Sequence, residues 1–175
     1  ETVFSMSGVG NGVKASYRIV DNKLIKGEQA EFWTWGTGDV YNGFNLLADG
    51  TTADRGPLTP CEIQSYGFTG ATISNGIAVY GMHGIKADGS FWVWGYNFYD
   101  PETNPDYNSL GMGTTLSSNF PTQVALPSRV VSSWLGYLAT FVLTDEGKLY
   151  STGFNSYGSL GNGTSLSTLT FQPVL

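Results

Sequence analysis

Apolar and polar positions alternate in three short segments of the chain: Phe32-Trp33-Thr34-Trp35, Phe91-Trp92-Val93-Trp94 and Leu149-Tyr150-Ser151-Thr152. Successive side chains of an extended strand point to opposite faces. Trp33 and Trp35 therefore share one face, as do Trp92 and Trp94, while Phe32, Thr34, Phe91 and Val93 take the other. Aromatic and β-branched residues fill these positions, which predicts three strands. Each strand ends at a glycine, Gly36, Gly95 or Gly153, where a side chain would not fit or φ must be positive. A second block follows each glycine: Leu47-Ala48-Asp49-Gly50-Thr51, Leu110-Gly111-Met112-Gly113-Thr114 and Leu160-Gly161-Asn162-Gly163-Thr164. This block predicts a tight turn with one apolar pin, Leu47, Leu110 or Leu160, tucked under the sheet. A proline comes next, at Pro57 or Pro60, at Pro121 and at Pro173. Proline cannot donate to a central ladder, so it predicts a loop or a strand start.

The partner strands lie upstream. Val79 to Lys86 precedes Ala87-Asp88-Gly89, and the apolar run Tyr137 to Thr144 precedes Asp145-Glu146-Gly147. A short Asp/Gly turn between two such runs predicts a hairpin. The first unit is irregular. Ser16 to Val20 and Lys23 to Ile25 are strand-like, but Lys26-Gly27-Glu28-Gln29-Ala30 replaces the compact turn.

The anchor glycines stand 59 residues apart (Gly36 to Gly95) and 58 apart (Gly95 to Gly153). A fixed period of this size is the mark of a repeat architecture. The expectation is one all-β domain over 1–175, of antiparallel sheets with sequence-adjacent strands paired. Its units are an irregular first repeat (1–63), a second (64–124) and a third (125–175).

The succession of strand, Asp-Gly turn, aromatic strand ending in Trp-Gly, Leu-Gly-x-Gly-Thr and proline resembles the regulator of chromosome condensation repeat. The third unit matches best, from Val130 to Pro173. The second matches with an insertion, and the first matches from Phe32 to Pro60. The resemblance implies β-propeller blades. It assigns structural roles to Trp33, Trp35, Gly36, Trp92, Trp94, Gly95, Leu110, Gly111, Gly113, Gly153, Leu160, Gly161 and Gly163. It also implies a structural hydrogen-bonding histidine at His83. A propeller typically needs roughly 4–8 blades. Three units leave an incomplete ring with open sheet edges. Glu1 is not an initiator methionine, and Phe171 to Leu175 stops where another unit would begin. The chain is therefore expected to be a piece of a longer protein or to associate with copies of itself or with neighbouring subunits.

Composition narrows the functional classes. Charged residues make up 13% of the chain, about half a typical globular share. Net charge is −6 with only 8 lysines and arginines and no basic cluster. Binding a phosphate backbone needs clustered cations, so nucleic acid is not an expected partner. That departs from the chromatin-associated founder of the family. No apolar run approaches the roughly 18 residues that span a bilayer as a helix. Cys61 is the single cysteine and His83 the single histidine, which argues against an intrachain disulfide, a transition-metal site and a histidine-based triad. Gly8-Val9-Gly10-Asn11-Gly12 lacks the lysine of a phosphate-binding loop and predicts a turn. Asn162-Gly163-Thr164 has the form of a glycosylation sequon but is also the repeat's own turn. No cofactor and no metal are expected.

The second unit carries the most individual stretch. Leu110 lies 15 residues beyond Gly95, whereas Leu160 lies 7 beyond Gly153 and Leu47 lies 11 beyond Gly36. The insertion holds Tyr96, Phe98, Tyr99 and Tyr107 together with Asp100, Glu102 and Asp106. A loop that departs from a scaffold's repeat is where function concentrates. Aromatic rings with polar tips suit protein or glycan contact. Carboxylates are the ligands of Ca²⁺, although this spacing fits no standard calcium loop. Three readings stay open here: a proline-stiffened surface excursion, a contact surface and a calcium site.

Two functional classes follow for the whole. The first is a non-enzymatic structural or protein-interaction module, expected in an extracellular or virion assembly such as a fibre, a decoration protein or an adhesin. A glycan-binding surface is a variant of it. The second, implied by the resemblance, is a regulatory propeller of the nucleotide-exchange-factor type, cytoplasmic, which presents a surface to a small GTPase. Three units weigh against the second.

Overall fold

The computed structural model describes residues 2–8, 11–20, 23–26, 33–35, 50, 51, 53, 72–75, 81–97, 110–135 and 138–175, and of the strands before residue 76 only the backbone. Twelve strands and no helix lie among the described residues. They form three antiparallel four-stranded sheets, as the alternating pattern predicts. None of the described residues forms a helix long and apolar enough to cross a membrane.

The second sheet is a simple meander of β5 (Thr72–Asn75), β6 (Gly81–Ile85), β7 (Phe91–Gly95) and β8 (Ser118–Val124). The third sheet repeats it with β9 (Val130–Leu135), β10 (Ala139–Thr144), β11 (Leu149–Gly153) and β12 (Thr168–Pro173). Both central hairpins close as expected. Gly89 N donates to Lys86 O at 2.9 Å, and Gly147 N donates to Thr144 O at 3.0 Å. Gly89 and Gly147 take φ of +82° and +75°, the left-handed conformation that closes a three-residue hairpin loop. Asp88 Oδ1 adds bonds from Ser90 N and Ser90 Oγ, which hold its carboxyl below the usual range.

The first sheet departs from a meander. β1 (Thr2–Gly8) pairs with β2 (Asn11–Val20), which pairs in turn with β3 (Lys23–Lys26) through Tyr17 to Val20. β4 (Trp33–Trp35) then pairs not with β3 but with the Gly12–Lys14 stretch of β2. Pairing between sequence-adjacent strands therefore fails at β4. The length of β2 makes room for this: its ten residues seat β3 along one half and β4 along the other. The turn expected at residues 8–12 is narrower, since Gly8 pairs with Asn11 and Gly12 is already in β2.

Two further expectations need correction. Pro121 is neither in a loop nor at a strand start: it lies inside β8. It is tolerated because β8 ends the sheet, where a missing N–H breaks no ladder. Pro173 likewise ends β12, the other terminal strand. The strand expected from Tyr137 begins at Ala139, because Leu138 takes φ of +59°.

The core lies between the second and third sheets. Ile85, Phe91, Val93, Leu110 and Val124 meet Val130, Val142 and Tyr150, with Phe171 packed against them. Phe91 and Phe171 touch edge to face at 5.7 Å between centroids. Backbone bonds tie the two sheets as well. Val130 N donates to Gly89 O at 2.9 Å, and Gly113 N donates to Leu169 O at 2.8 Å. Arg129 Nε and Nη2 donate to the carbonyls of Asp88 and Ala87.

Candidate interaction surface

The repeat residues build each sheet's end from the anchor glycine outward. Gly95 and Gly153 have φ of +103° and +116°, and each lies beside a register shift against the sheet's last strand. A Cβ at Gly153 would collide with the carbonyl oxygen of Leu138 and come within 2.9 Å of Ala139 Cα. Both faults fall on backbone, so no side chain fits there. Leu110 and Leu160 have no solvent exposure, as the pin expectation requires. Gly111, Gly113, Gly161 and Gly163 all have positive φ.

The sequence reasoning missed the residues that fasten these turns. Asn97 and Asn155 each stand two residues beyond an anchor glycine, and both are buried. Asn155 Nδ2 donates to Thr164 O at 2.9 Å, Leu166 O at 3.1 Å and Asn162 Oδ1 at 3.0 Å. Its Oδ1 accepts from Leu160 N at 2.9 Å. Asn97 repeats the arrangement with Thr114 O at 2.8 Å, Leu116 O at 3.4 Å and Leu110 N at 3.3 Å. One amide thus staples both sides of each turn. The matching offset of Asn97 and Asn155 was the available signal.

The tryptophans divide. Trp94 has no exposure, whereas Trp92 is half-buried. Lys86 Nζ lies 3.5 Å above the Trp92 ring, and Trp92 Nε1 donates to Ser90 Oγ at 2.8 Å. Trp33 and Trp35 belong to β4, and Gly36 lies outside the described residues. His83 is 1% exposed, with Ser133 Oγ of the third sheet 3.2 Å from its Nε2. Burial lowers its pKa to about 4, so the ring is neutral at pH 7.

Of the inserted loop, Tyr96 is buried at 9% exposure. Phe98, Tyr99, Asp100, Glu102, Asp106 and Tyr107 lie outside the described residues, as does Cys61. No cluster of three metal-ligating side chains occurs among the described residues. Among the side chains those residues expose is a repeated apolar pair. Leu116 and Leu166 follow Thr114 and Thr164 at the same offset, with exposures of 70% and 73%. A groove of ≈ 370 Å³ borders Leu166, with Ser167, Thr168, Gln172, Pro173 and Leu175 along it.

No family model matches the chain. Three crystal structures resemble it in fold. Human WBSCR16 aligns at a TM-score of 0.59 and 16% identity, over 95% of this chain and 37% of its own. Prp20p from Saccharomyces cerevisiae aligns at 0.56 and 15%, over 98% and 38%. Yeast RCC1 (Prp20), in its complex with Kap60, aligns at 0.55 and 16%, over 98% and 36%. The fold is that of RCC1-type propeller blades. The chain spans little more than a third of the length of each of these RCC1-type structures. At such identities the likeness extends to the fold alone.

Proposed function

We propose that the chain is a non-enzymatic protein-interaction module, a run of propeller blades that works by presenting sheet faces and blade-end loops to other proteins. The observation that carries this is the repeated pair Leu116 and Leu166. A single exposed leucine needs no explanation. Two at equivalent positions, each on a stapled loop, repeat one exposed apolar feature from sheet to sheet. Their carbonyls are held by Asn97 and Asn155, and their N–H groups lie 3.1 and 3.3 Å from the Oγ1 of Thr114 and Thr164. Such loops are already ordered, so a partner loses little entropy in binding them. The buried, neutral His83 is no candidate for proton transfer, in keeping with a surface that binds.

The test places a photo-cross-linking residue at position 116 or 166 in cells that make the chain. Protein adducts at both positions, above those at the exposed turn residue Glu146, support the proposal. Adducts no more frequent than at Glu146 overturn it.

A second reading is a regulatory propeller of the nucleotide-exchange-factor type. Its support is the fold shared with Prp20p, a protein described by its binding to Gsp1p and histones. Faster release of labelled guanine nucleotide from a small GTPase on adding the chain would favour this form. An unchanged rate across a panel of small GTPases would remove it and leave the first.

A further inference from the structure

We infer that Met112 is an oxidation-sensitive latch on the seam between the second and third sheets, a modification site at which a hydroperoxide converts the thioether to the sulfoxide.

The turn that carries Met112 is wedged onto the third sheet. Gly113 N donates to Leu169 O of β12 at 2.8 Å. A Cβ at Gly111 would come within 2.5 Å of the Phe171 ring and 2.9 Å of Thr152 Cγ2, so β11 and β12 both crowd the turn. Between these glycines the Met112 side chain packs against the apolar cluster that the two sheets share. It is only half-buried, with the third sheet already in place beside it. Of the other methionines, Met82 is 3% exposed in β6 and Met6 lies in β1. A thioether reacts according to its access to oxidant, so Met112 outpaces Met82.

The third turn shows what a polar residue does at the same place. Asn162 lies between Gly161 and Gly163 as Met112 lies between Gly111 and Gly113. Its Oδ1 accepts from Thr164 N at 3.1 Å, Thr164 Oγ1 at 3.0 Å and Asn155 Nδ2 at 3.0 Å, all within its own blade end. A thioether is a weak acceptor, and Met112 packs on the apolar seam instead.

Oxidation reverses that preference. With hydrogen peroxide, a lone pair on Sδ attacks one peroxide oxygen, and the S–O bond forms as the O–O bond breaks. The sulfur loses two electrons. The departing hydroxide takes the proton of the transferred hydroxyl and leaves as water. The sulfoxide is polar, and burying its oxygen in the seam without a donor is costly. The donors that serve Asn162 have counterparts in the second turn, Asn97 Nδ2 and Thr114. The oxidised side chain therefore leaves the seam for its own turn. Asn97 also holds the loop of Leu116, which ties the latch to the surface proposed above. The seam measurements below do not depend on that reading.

Hydrogen peroxide treatment of the purified chain, followed by peptide mass mapping, tests this. Met112 should oxidise at least about ten times faster than Met82. The species oxidised at Met112 alone, separated by chromatography, should unfold at a lower urea midpoint. Its Gly113 amide, tied to Leu169 O across the seam, should exchange at least about ten times faster than in the reduced chain. The Gly147 amide, in the β10–β11 hairpin, should exchange as before. Methionine sulfoxide reductases, one for each sulfoxide epimer, should restore both values. Met112→Leu should keep its midpoint through the same treatment. Met82 oxidised as fast as Met112, an oxidised species with the reduced chain's midpoint and Gly113 exchange, or an equal loss in Met112→Leu overturns the inference. The mapping and the exchange use wild type alone and decide the matter if Met112→Leu does not fold.

Discussion

Asn155→Ala should cost this protein about 3–4 kcal/mol. Asn155 has no solvent exposure, and its amide is used at both ends. Its Oδ1 is the acceptor for Leu160 N, and Leu160 is itself fully buried. Truncation orphans that N–H where water does not reach, which costs ~1–3 kcal/mol. Nδ2 reaches Thr164 O, Leu166 O and Asn162 Oδ1 at 3.1 Å or less. Thr164 and Leu166 are exposed, so water replaces those bonds at a net loss nearer ~0.5–1 kcal/mol each. For a chain of this length the sum lowers the melting temperature by about 10 °C. Urea titration followed by far-ultraviolet circular dichroism measures it, with the slope held equal between variants. Asn97→Ala should cost about half as much, because two of its three amide bonds lie at 3.3 and 3.4 Å. Asn155→Asp should be no better than alanine, since it sets a carboxylate against the carbonyls of Thr164 and Leu166. A loss below ~1 kcal/mol for Asn155→Ala would refute the staple.

Other outcomes follow from the same geometry. Gly153→Ala should lose at least ~2–3 kcal/mol in urea unfolding, from the forced φ of +116° and the collision with the Leu138 carbonyl. Gly147→Ala, at φ +75° with open space around it, should lose only ~1–2 kcal/mol, and equal losses would count against the steric argument. His83 has a folded pKa of about 4 against 6.5 unfolded, so the unfolded chain binds more protons between those values. Its share of stability is whole above pH 6.5 and is lost as pH falls toward 4, by about 3 kcal/mol. Urea midpoints of wild type and His83→Gln should therefore converge over that window, and parallel curves would refute the assignment. Arg129→Ala removes only exposed bonds to Asp88 O and Ala87 O and should cost no more than ~1 kcal/mol in the same titration.

The strands and turns were legible because their signals are local. Alternation at Phe91 to Trp94 gave β7, and the Asp-Gly pair at 88–89 gave the hairpin before it. What alternation could not show is which face stays dry. A polar-out rule fails for a sheet covered on both sides, and β7 is such a strand: Phe91, Val93 and Trp94 are all buried although they belong to both faces. The half-burial of Trp92 depends on Lys86 and Ser90 near the hairpin end, pairings that alternation does not encode. Asn97 and Asn155 were missed for a different reason. A lone asparagine after a glycine suggests a turn residue on the surface. Only its offset from two equivalent anchor glycines separates a buried staple from that reading.

The staple also explains why the first unit strays from the other two. Where they have Gly-Tyr-Asn at 95–97 and Gly-Phe-Asn at 153–155, the first has Gly36-Thr37-Gly38. A glycine has no amide to hold a turn, and Gly38 lies outside the described residues. The same unit replaces the first glycine of the turn by Ala48 and lacks the compact Asp-Gly hairpin. These are the polar and conformational devices that fix a blade's register, whereas Trp33 and Trp35 keep the repeat's aromatic sequence pattern. Losing the former while keeping the latter leaves a sheet free to pair differently, and β4 takes its place beside β2 instead of β3. Restoring the devices tests the order of cause: Gly38→Asn together with Ala48→Gly should raise the melting temperature if the first turn can accept the staple. No change, or a fall, would show that the sheet's altered pairing comes first and that the sequence has since drifted to suit it.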